Sequence, residues 1–273
     1  NGALSGVNPS YSGTSLNIVI ALAGQWTGLG DGITWTNASN WGLATLPGAT
    51  DNVVIGTAGP TIVLSSGAQA INSLSMVAGR TLQVSGGSLT ISQPSTVNGN
   101  LSLSGGTLTL DGATTLSGVY TQTGGVLNGT GTLTLTGAGS TWSGSNGSWV
   151  GGGTVVVANG ADLTFSGVFG GNSLAGRTLT VQAGGTATIV GEVEVDAGTN
   201  VINNAGTFNL AGAGRLSHSY NSGGAVTFNN TGTLVKSGAG SFTFGTSGGD
   251  INLTNNGVIN VNAGTLNYGS GTG

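Results

Sequence analysis

The chain has 273 residues, of which 8 are acidic and 4 basic, and its formal net charge is −4. Proteins that bind nucleic acids carry a cluster of Lys and Arg, so the composition excludes nucleic acid as a partner. The absence of cysteine excludes disulfide bonds and thiolate metal sites. No apolar run approaches the roughly 18 residues of a membrane span, so we expect no membrane insertion.

The composition indicates an all-β fold. Glycine contributes 56 residues and proline 4, while 37% of the chain is hydrophobic, which is too much for a disordered glycine-rich linker. Good helix formers are scarce, and Val, Ile, Leu, Thr and Phe recur in the short alternating runs that are typical of strands.

Residues 1–25 are predicted to be an N-terminal extension that precedes a single β-solenoid domain at 26–273. The extension ends in a strand-prone run whose apolar residues are Leu16, Ile18, Val19, Ile20 and Leu22. This run lies outside the repeats described below. We expect it either to cap the first coil of its own solenoid or to be donated as a strand to the next subunit.

Three tryptophans, Trp26, Trp35 and Trp41, follow the extension closely. The open end of a solenoid exposes apolar side chains and backbone edges that need a cover. We therefore expect these rings to cap the first coil. The alternative is an exposed platform on which sugar rings stack.

The central part of the chain contains a regular short repeat, marked by Ser-Gly or Thr-Gly pairs that begin at positions 66, 85, 104 and 123. Between the markers, apolar residues such as Leu108 and Leu110 alternate with polar ones, which places them on one face of each strand. A single unit cannot bury this face, and it becomes stable only when neighbours stack. The pattern predicts a parallel β-helix (β-solenoid) of roughly a dozen coils, each of about 19–26 residues.

Further along, the repeat lengthens and is marked by the evenly spaced Asn203, Asn229 and Asn255. Asparagine is, after glycine, the residue that best tolerates the backbone of a tight corner. We expect these three asparagines to form a ladder in which side-chain amides bond one coil to the next.

A longer-range similarity relates AGRTLQV at 78–84 to AGRTLTV at 175–181. The two segments differ at a single position, and their separation is close to five of the shorter coils. The similarity predicts equivalent corners of the solenoid for Arg80 and Arg177.

Three stretches resemble known proteins: WTNASNWGLATLPGATDNVVIG at 35–56, INSLSMVAGRTLQVSGGSLTI at 71–91 and NNTGTLVKSGAGSFTF at 229–244. They are similar to β-solenoid regions of large secreted bacterial repeat proteins, in particular filamentous-haemagglutinin-like and autotransporter-passenger-like adhesins. The resemblance extends from about Trp26 to the C-terminus. It implies export from the cell and a role in attachment, biofilm or cell-surface structure.

Trp142 and Trp149 flank a short segment that is rich in glycine and serine. We expect a widened loop there, and aromatic rings exposed in such a loop stack on sugars. These two residues are therefore the candidate glycan contact, and surface glycans are the second partner that we consider.

Acidic residues cluster only in Glu192-Val193-Glu194-Val195-Asp196, where alternation places three carboxylates on one outer face, about 7 Å apart. One interpretation is a charged patch whose negative charge is balanced by Arg177 and Arg215 on adjoining coils. The other is a weak Ca²⁺ site formed by Glu192, Glu194 and Asp196. The remaining acids are isolated and provide no pair for acid–base chemistry, so we expect no catalytic residues, no resident metal and no cofactor.

The C-terminal stretch 258–269 is strand-like, so we expect an uncovered final coil at which Leu266 and Tyr268 are available for assembly. Together with the apolar run of the extension, this favours head-to-tail contact between copies of the chain, which grows a filament where it does not close. The expected function is that of a non-enzymatic structural protein of an extracellular or cell-surface filament or sheath. The alternatives are a glycan-binding adhesin module or the stalk segment of a larger adhesin, and, third, a polysaccharide lyase or hydrolase.

Overall fold

The computed structural model describes residues 7–12, 15–20, 22–144, 146–167, 172–196, 198–218, 226–245 and 251–269, with the backbone alone at 7–20, Asn172 and His218. These residues form an N-terminal hairpin, two short 3₁₀ turns at Ala38–Asn40 and Gly42–Ala44, and three parallel sheets of ten strands each. The prediction of an all-β parallel solenoid is confirmed.

The chain visits the three sheets in a fixed order, so every third strand belongs to the same sheet. The hairpin pairs β1 (Val7–Ser12) with β2 (Ser15–Ile20) in antiparallel fashion. Sheet 1 contains β3 (Asn52–Ile55), β6 (Ser73–Met76), β9 (Ser95–Val97), β12 (Thr114–Leu116), β15 (Thr132–Leu135), β18 (Thr154–Val157), β21 (Thr178–Val181), β24 (Asn200–Asn204), β27 (Val226–Asn230) and β30 (Ile251–Asn255). Sheet 2 contains β4 (Ile62–Leu64), β7 (Thr81–Val84), β10 (Asn100–Leu103), β13 (Tyr120–Gln122), β16 (Ser140–Gly144), β19 (Asp162–Gly167), β22 (Thr186–Ile189), β25 (Thr207–Ala211), β28 (Thr233–Ser237) and β31 (Val258–Val261). Sheet 3 contains β5 (Ala68–Ile71), β8 (Ser88–Ile91), β11 (Thr107–Leu110), β14 (Gly125–Asn128), β17 (Gly147–Val150), β20 (Asn172–Ala175), β23 (Glu192–Val195), β26 (Gly214–His218), β29 (Ser241–Phe244) and β32 (Thr265–Tyr268).

Alternate side chains of each strand enter one shared core. In β15, Leu133 and Leu135 are buried, and Thr132 and Thr134, which alternate with them, face outward. Leu133 pairs with Val155 of the next coil, so apolar residues stack on apolar residues. The buried residues form one continuous cluster from Trp26 to Ile251. If a strand shifted by one residue relative to its neighbour, all of its apolar side chains would face the solvent. The free-energy cost of this exposure fixes the register between coils.

Coil length follows the repeats of the sequence. Leu101 pairs with Tyr120 across one of the shorter coils, and Asn203 pairs with Asn229 across one of the longer coils. Within the described residues each sheet has ten strands, which are related by nine turns of the solenoid, where the sequence predicts roughly a dozen coils. The difference arises because the chain before β3 forms a cap instead of coils, and because the later coils are longer.

Glycine pairs mark the corner between sheets 2 and 3. Gly106 has a φ of +62°, a conformation that favours glycine. A Cβ atom on Gly106 would lie 2.5 Å from the carbonyl oxygen of Gly87 in the preceding coil. That oxygen accepts a hydrogen bond of 2.9 Å from the backbone N–H of Thr107. The Ser-Gly-Gly repeat is therefore the signature of a stacked corner in which no side chain fits.

Two asparagine ladders connect the later coils of sheet 1. On the outer side, Asn229 Nδ2 donates to Asn203 Oδ1 at 2.9 Å. On the inner side, Asn204 Nδ2 donates to Asn230 Oδ1 at 2.7 Å, and Asn230 Nδ2 donates to Asn255 Oδ1 at 2.6 Å. The predicted ladder is wrong at its third member, because the last coil is one residue shorter than the coil before it and moves Asn255 into the inner column.

Candidate functional site

Residues 22–44, which we call the head cap, cover the N-terminal end of the solenoid at two of its three sheets. The backbone N–H groups of Trp26 and Trp35 donate to β3 and β4 at 2.9 Å and so cover their free edges. The rings of Trp26, Trp35 and Trp41 are at most 3% exposed, and Trp41 packs edge-on against the other two at 4.9 and 4.7 Å between centroids. The cap interpretation is confirmed, and the sugar platform is wrong because no ring face is accessible.

Asn40 and Asp31 organise the head cap. The buried Asn40 accepts hydrogen bonds from Gly30 N and Gly32 N at 3.0 and 2.9 Å, and its Nδ2 donates to Asp31 Oδ1 at 2.7 Å. The same carboxylate oxygen accepts two backbone N–H groups of the following turn. The hydrogen bond from Asn40, followed by those from the backbone, holds the pKa of Asp31 well below its usual range.

The apolar run of the extension forms β2, which pairs with β1 and joins none of the solenoid sheets. Leu16, Ile18, Val19 and Ile20 therefore lie in a separate hairpin, and the first coil is covered by the head cap instead. Leu22 is 64% exposed beside a groove of about 610 Å³ at the outer edge of β3. Donation of the hairpin strand to another subunit stays a prediction.

At the opposite end, β30, β31 and β32 are the outermost strands, and no described strand pairs with their outer edges. Val261 and Tyr268 point inward yet are 52% and 53% exposed, whereas their register partners one coil earlier, Lys236 and Phe244, are at most 1% exposed. Leu266 is only partly buried. The structure thus brings Leu266 and Tyr268 together on an open surface, which we call the end face.

The acidic strand β23 forms a salt bridge with the next coil. Arg215 Nη2 lies 3.2 Å from Glu192 Oε2, and Asp196 accepts a short hydrogen bond from the hydroxyl of Ser173. Within the described residues, no three acidic or histidine side chains are grouped closely enough to hold a metal ion. The Ca²⁺ site at Glu192, Glu194 and Asp196 is therefore not supported, because the outer two carboxylates bind partners on opposite neighbouring coils.

Three basic side chains are buried and held by backbone carbonyl groups. Arg177 is 1% exposed, and its Nη1 donates to the carbonyl oxygens of Leu127 and Val150 at 3.2 and 2.8 Å. Arg80 and Lys236 are bound in the same way at other corners. Burial lowers the pKa of Arg177 to about 10. The expectation that both arginines pair with the acidic face is wrong for Arg177, which binds backbone carbonyl oxygens. Arg215 does form a salt bridge with Glu192.

Arg80 and Arg177 also occupy different corners. Arg80 precedes β7 and lies between sheets 1 and 2, whereas Arg177 precedes β21 and lies between sheets 3 and 1. The predicted equivalence is wrong because the coils between the two segments vary in length, so their separation does not span a whole number of coils. What the two arginines share is a set of carbonyl acceptors on preceding coils.

Trp142 and Trp149 are fully buried and stack on each other with centroids 4.4 Å apart. Trp149 Nε1 donates to Gln122 Oε1 at 2.6 Å, and the Tyr120 hydroxyl donates to the same oxygen at 2.7 Å. The predicted glycan contact is wrong, because fully buried rings offer no face to a sugar. The missed signal was the alternation of β16 and β17, in which both tryptophans hold inward positions.

No helix in the described part of the chain has the length and apolar character needed to cross a bilayer. Comparisons of the chain with protein-family models, with curated proteins and with solved structures find no match. These findings establish the architecture: the chain is a parallel β-solenoid, a repeat protein with a capped head and with exposed apolar side chains on its last described coil.

Proposed function

We propose that this chain is a non-enzymatic structural rod, extracellular or on the cell surface, and that it serves as a unit of a filament, sheath or adhesin stalk. One observation carries the proposal: a single apolar core runs from Trp26 in the head cap to Ile251 in the last described coil. At about 4.8 Å per strand, nine steps give the solenoid a length of about 43 Å.

The direction of the hydrogen bonds supports a load-bearing role. Strands run across the rod, so the bonds between coils run along its axis in all three sheets. Tension along the axis is therefore resisted by a whole interface between two coils, which combines three strand pairings with the core contacts beneath them. The asparagine ladder from Asn204 to Asn255 adds side-chain bonds in the same direction.

The proposed location is supported by the resemblance of residues 35–56, 71–91 and 229–244 to secreted bacterial β-solenoid adhesins. A glycan-binding module is the weaker alternative, because all five tryptophans are at most 3% exposed. A lyase or hydrolase is weaker still, since Glu192 and Asp196 bind separate partners on opposite neighbouring coils.

Small-angle scattering and electron microscopy of the purified chain test the rod, for which we expect a straight particle. Incubation with neutral and acidic polysaccharides, followed by assays of reducing ends and unsaturated products, tests the absence of catalysis. Product release that disappears in Glu192→Gln or Glu194→Gln would overturn the non-enzymatic role. Antibody labelling of intact producing cells tests the location, and a signal that appears only after lysis would contradict it.

A further inference from the structure

The outer side of sheet 1 carries an unbroken column of small side chains. The column runs in strict register through all ten strands of the sheet, from Val54 in β3 to Thr254 in β30. Its members are valine, serine, threonine or asparagine: Val54, Ser75, Thr96, Thr115, Thr134, Val156, Thr180, Asn203, Asn229 and Thr254. At about 4.8 Å per coil, the column is about 43 Å long. We call this side of the solenoid the sheet 1 face.

A second column accompanies the first, two residues away on the same strands. Its longest run stacks side chains of six consecutive coils: Thr132, Thr154, Thr178, Val201, Thr227 and Asn252. Most members of both columns are β-branched, so few rotamers are open to them and little side-chain entropy is lost when they are covered. The sheet 1 face is therefore a regular surface, with side chains about 4.8 Å apart along the rod and about 7 Å apart across it.

Charge distinguishes the sheet 1 face from the other two sides of the rod. None of the ten described strands of sheet 1 contains Asp, Glu, Lys or Arg. On their outer sides, sheet 2 presents Asp162, and sheet 3 presents Glu192, Glu194 and Arg215. Two copies of the sheet 1 face therefore meet without repulsion and without desolvating a charge, whereas a contact through sheet 3 would bring carboxylates of both copies together.

The dimensions of the sheet 1 face suit a second copy of itself. A strand of four residues such as β15 is about 13 Å long, so the ten strands present about 560 Å² per copy. The pair would bury about 1,100 Å², which is about what a specific interface requires. Sheets whose outer side chains are small, uncharged and evenly spaced interdigitate as in a steric zipper. Because both copies repeat at about 4.8 Å, a match at one coil is a match at the neighbouring coils.

We propose that two copies of this chain pack side by side in full overlap, with the sheet 1 face of one against the sheet 1 face of the other. The proposal rests on the proposed function, in which the solenoid is a structural rod, and it names the partner of that rod. A contact of this kind uses the same patch on both copies. It leaves the ends of each rod outside the contact, so it is compatible with a filament, a sheath or a stalk. It thickens the particle and leaves its length nearly unchanged.

Two matched substitutions test this contact. Thr134 lies on β15, the fifth of the ten strands of sheet 1 and so near the middle of the face, whereas Thr109 holds an outward position in β11 of sheet 3. Sedimentation and light scattering over a concentration series should show a dimer for the unmodified chain and for Thr109→Asp. Thr134→Asp should weaken dimerisation at least about 100-fold, because each copy would bury a carboxylate in the contact. Circular dichroism and thermal unfolding verify that both variants remain folded.

Cross-linking locates the contact independently, because the chain contains no cysteine. A short bis-maleimide should join two copies of Thr134→Cys and should leave copies of Thr109→Cys unjoined.

A chain that stays monomeric at high concentration, equal weakening by the two aspartate substitutions, or cross-linking of Thr109→Cys alone would overturn the proposal. A dimer with twice the length of the monomer in small-angle scattering would also overturn it, because it would indicate contact through the ends. A monomer that scatters as a straight rod would refute the lateral contact and leave the proposed function standing. A particle that is not a rod would instead refute the proposed function itself.

Discussion

Replacing Gly106 by alanine is expected to destabilise the solenoid more than the same change at Gly139. Both glycines have positive φ, +62° and +84°, and an L-residue in this region costs about 1–2 kcal/mol. At Gly139 the new methyl group has no neighbour within 4 Å, whereas at Gly106 it lies 2.5 Å from Gly87 O and 2.7 Å from Gly86 C. Overpacking of this kind costs about 1–3 kcal/mol. We therefore expect losses of about 2–5 kcal/mol for Gly106→Ala and about 1–2 kcal/mol for Gly139→Ala.

Urea denaturation followed by circular dichroism measures the difference in the free energy of unfolding between the two variants. Because the stability of stacked repeats is a sum of nearest-neighbour terms, a local measurement is also needed. The backbone N–H of Thr107 donates to Gly87 O at 2.9 Å, and its hydrogen exchange should accelerate in Gly106→Ala and remain slow in Gly139→Ala. Equal losses and unchanged exchange would refute the stacking argument and leave backbone strain as the whole effect.

Three further predictions concern the core, the head cap and the salt bridge. Leu108 is buried and Thr109 is partly exposed. Leu108→Asp should therefore lower the free energy of unfolding by several kcal/mol, and Thr109→Asp should lower it by less than about 0.5 kcal/mol. Equal shifts in the thermal unfolding of the two variants would contradict the conclusion that Leu108 points into the core. The pKa of Asp31 is lowered in the folded chain, so its contribution to the head cap is complete above the unfolded value of about 3.9 and is lost as the pH falls further. The indole resonance of Trp41 should accordingly change only in acid, and the persistence of that change in Asp31→Asn would contradict the assignment. The side chains of Glu192 and Arg215 are 31% and 28% exposed. A double-mutant cycle with Glu192→Gln and Arg215→Gln should therefore give a coupling free energy below about 1 kcal/mol, which added salt weakens. A larger coupling free energy that does not depend on salt would contradict a solvent-exposed salt bridge.

The solenoid was predictable because its signal is local and repeated. The alternation at Leu108 and Leu110 recurs along the chain, and the glycine pairs of the central coils recur at a constant spacing. Because coils of equal length stack in register, a repeated residue type meets itself in the next coil, as Leu89 and Leu108 do in sheet 3. The cap role of the tryptophans followed from the same logic, since the end of such a column must be covered.

The face on which a particular residue lies was not predictable where coil length changes. Asn255 continues the even spacing of Asn203 and Asn229 in the sequence, but the last coil is one residue shorter, so Asn255 pairs with Asn230 instead. A shift of one residue moves a side chain to the other face of the sheet. Trp142 was misplaced for a related reason. The glycine- and serine-rich segment that follows Trp142 is typical of a loop. In the structure, however, Trp142 pairs in register with Phe165 of the next coil and packs against it.

The positions of the basic side chains follow from the backbone at the corners and not from the distribution of acids. A buried carbonyl group without a donor costs about as much as a lost hydrogen bond. Lys236 Nζ donates to the carbonyl oxygens of Ser237, Gly238 and Ala263 at 3.0, 2.8 and 3.3 Å, and Ala263 belongs to the next coil. The ammonium group thus acts first as a donor that ties two coils together, and the three carbonyl dipoles stabilise its charge without a carboxylate. Pairing each basic residue with an acid about one coil away in the sequence therefore identifies the partner of Arg215, which is part of a partly exposed salt bridge. The same rule fails for Arg80, Arg177 and Lys236, which are buried and bind backbone carbonyl oxygens at the corners.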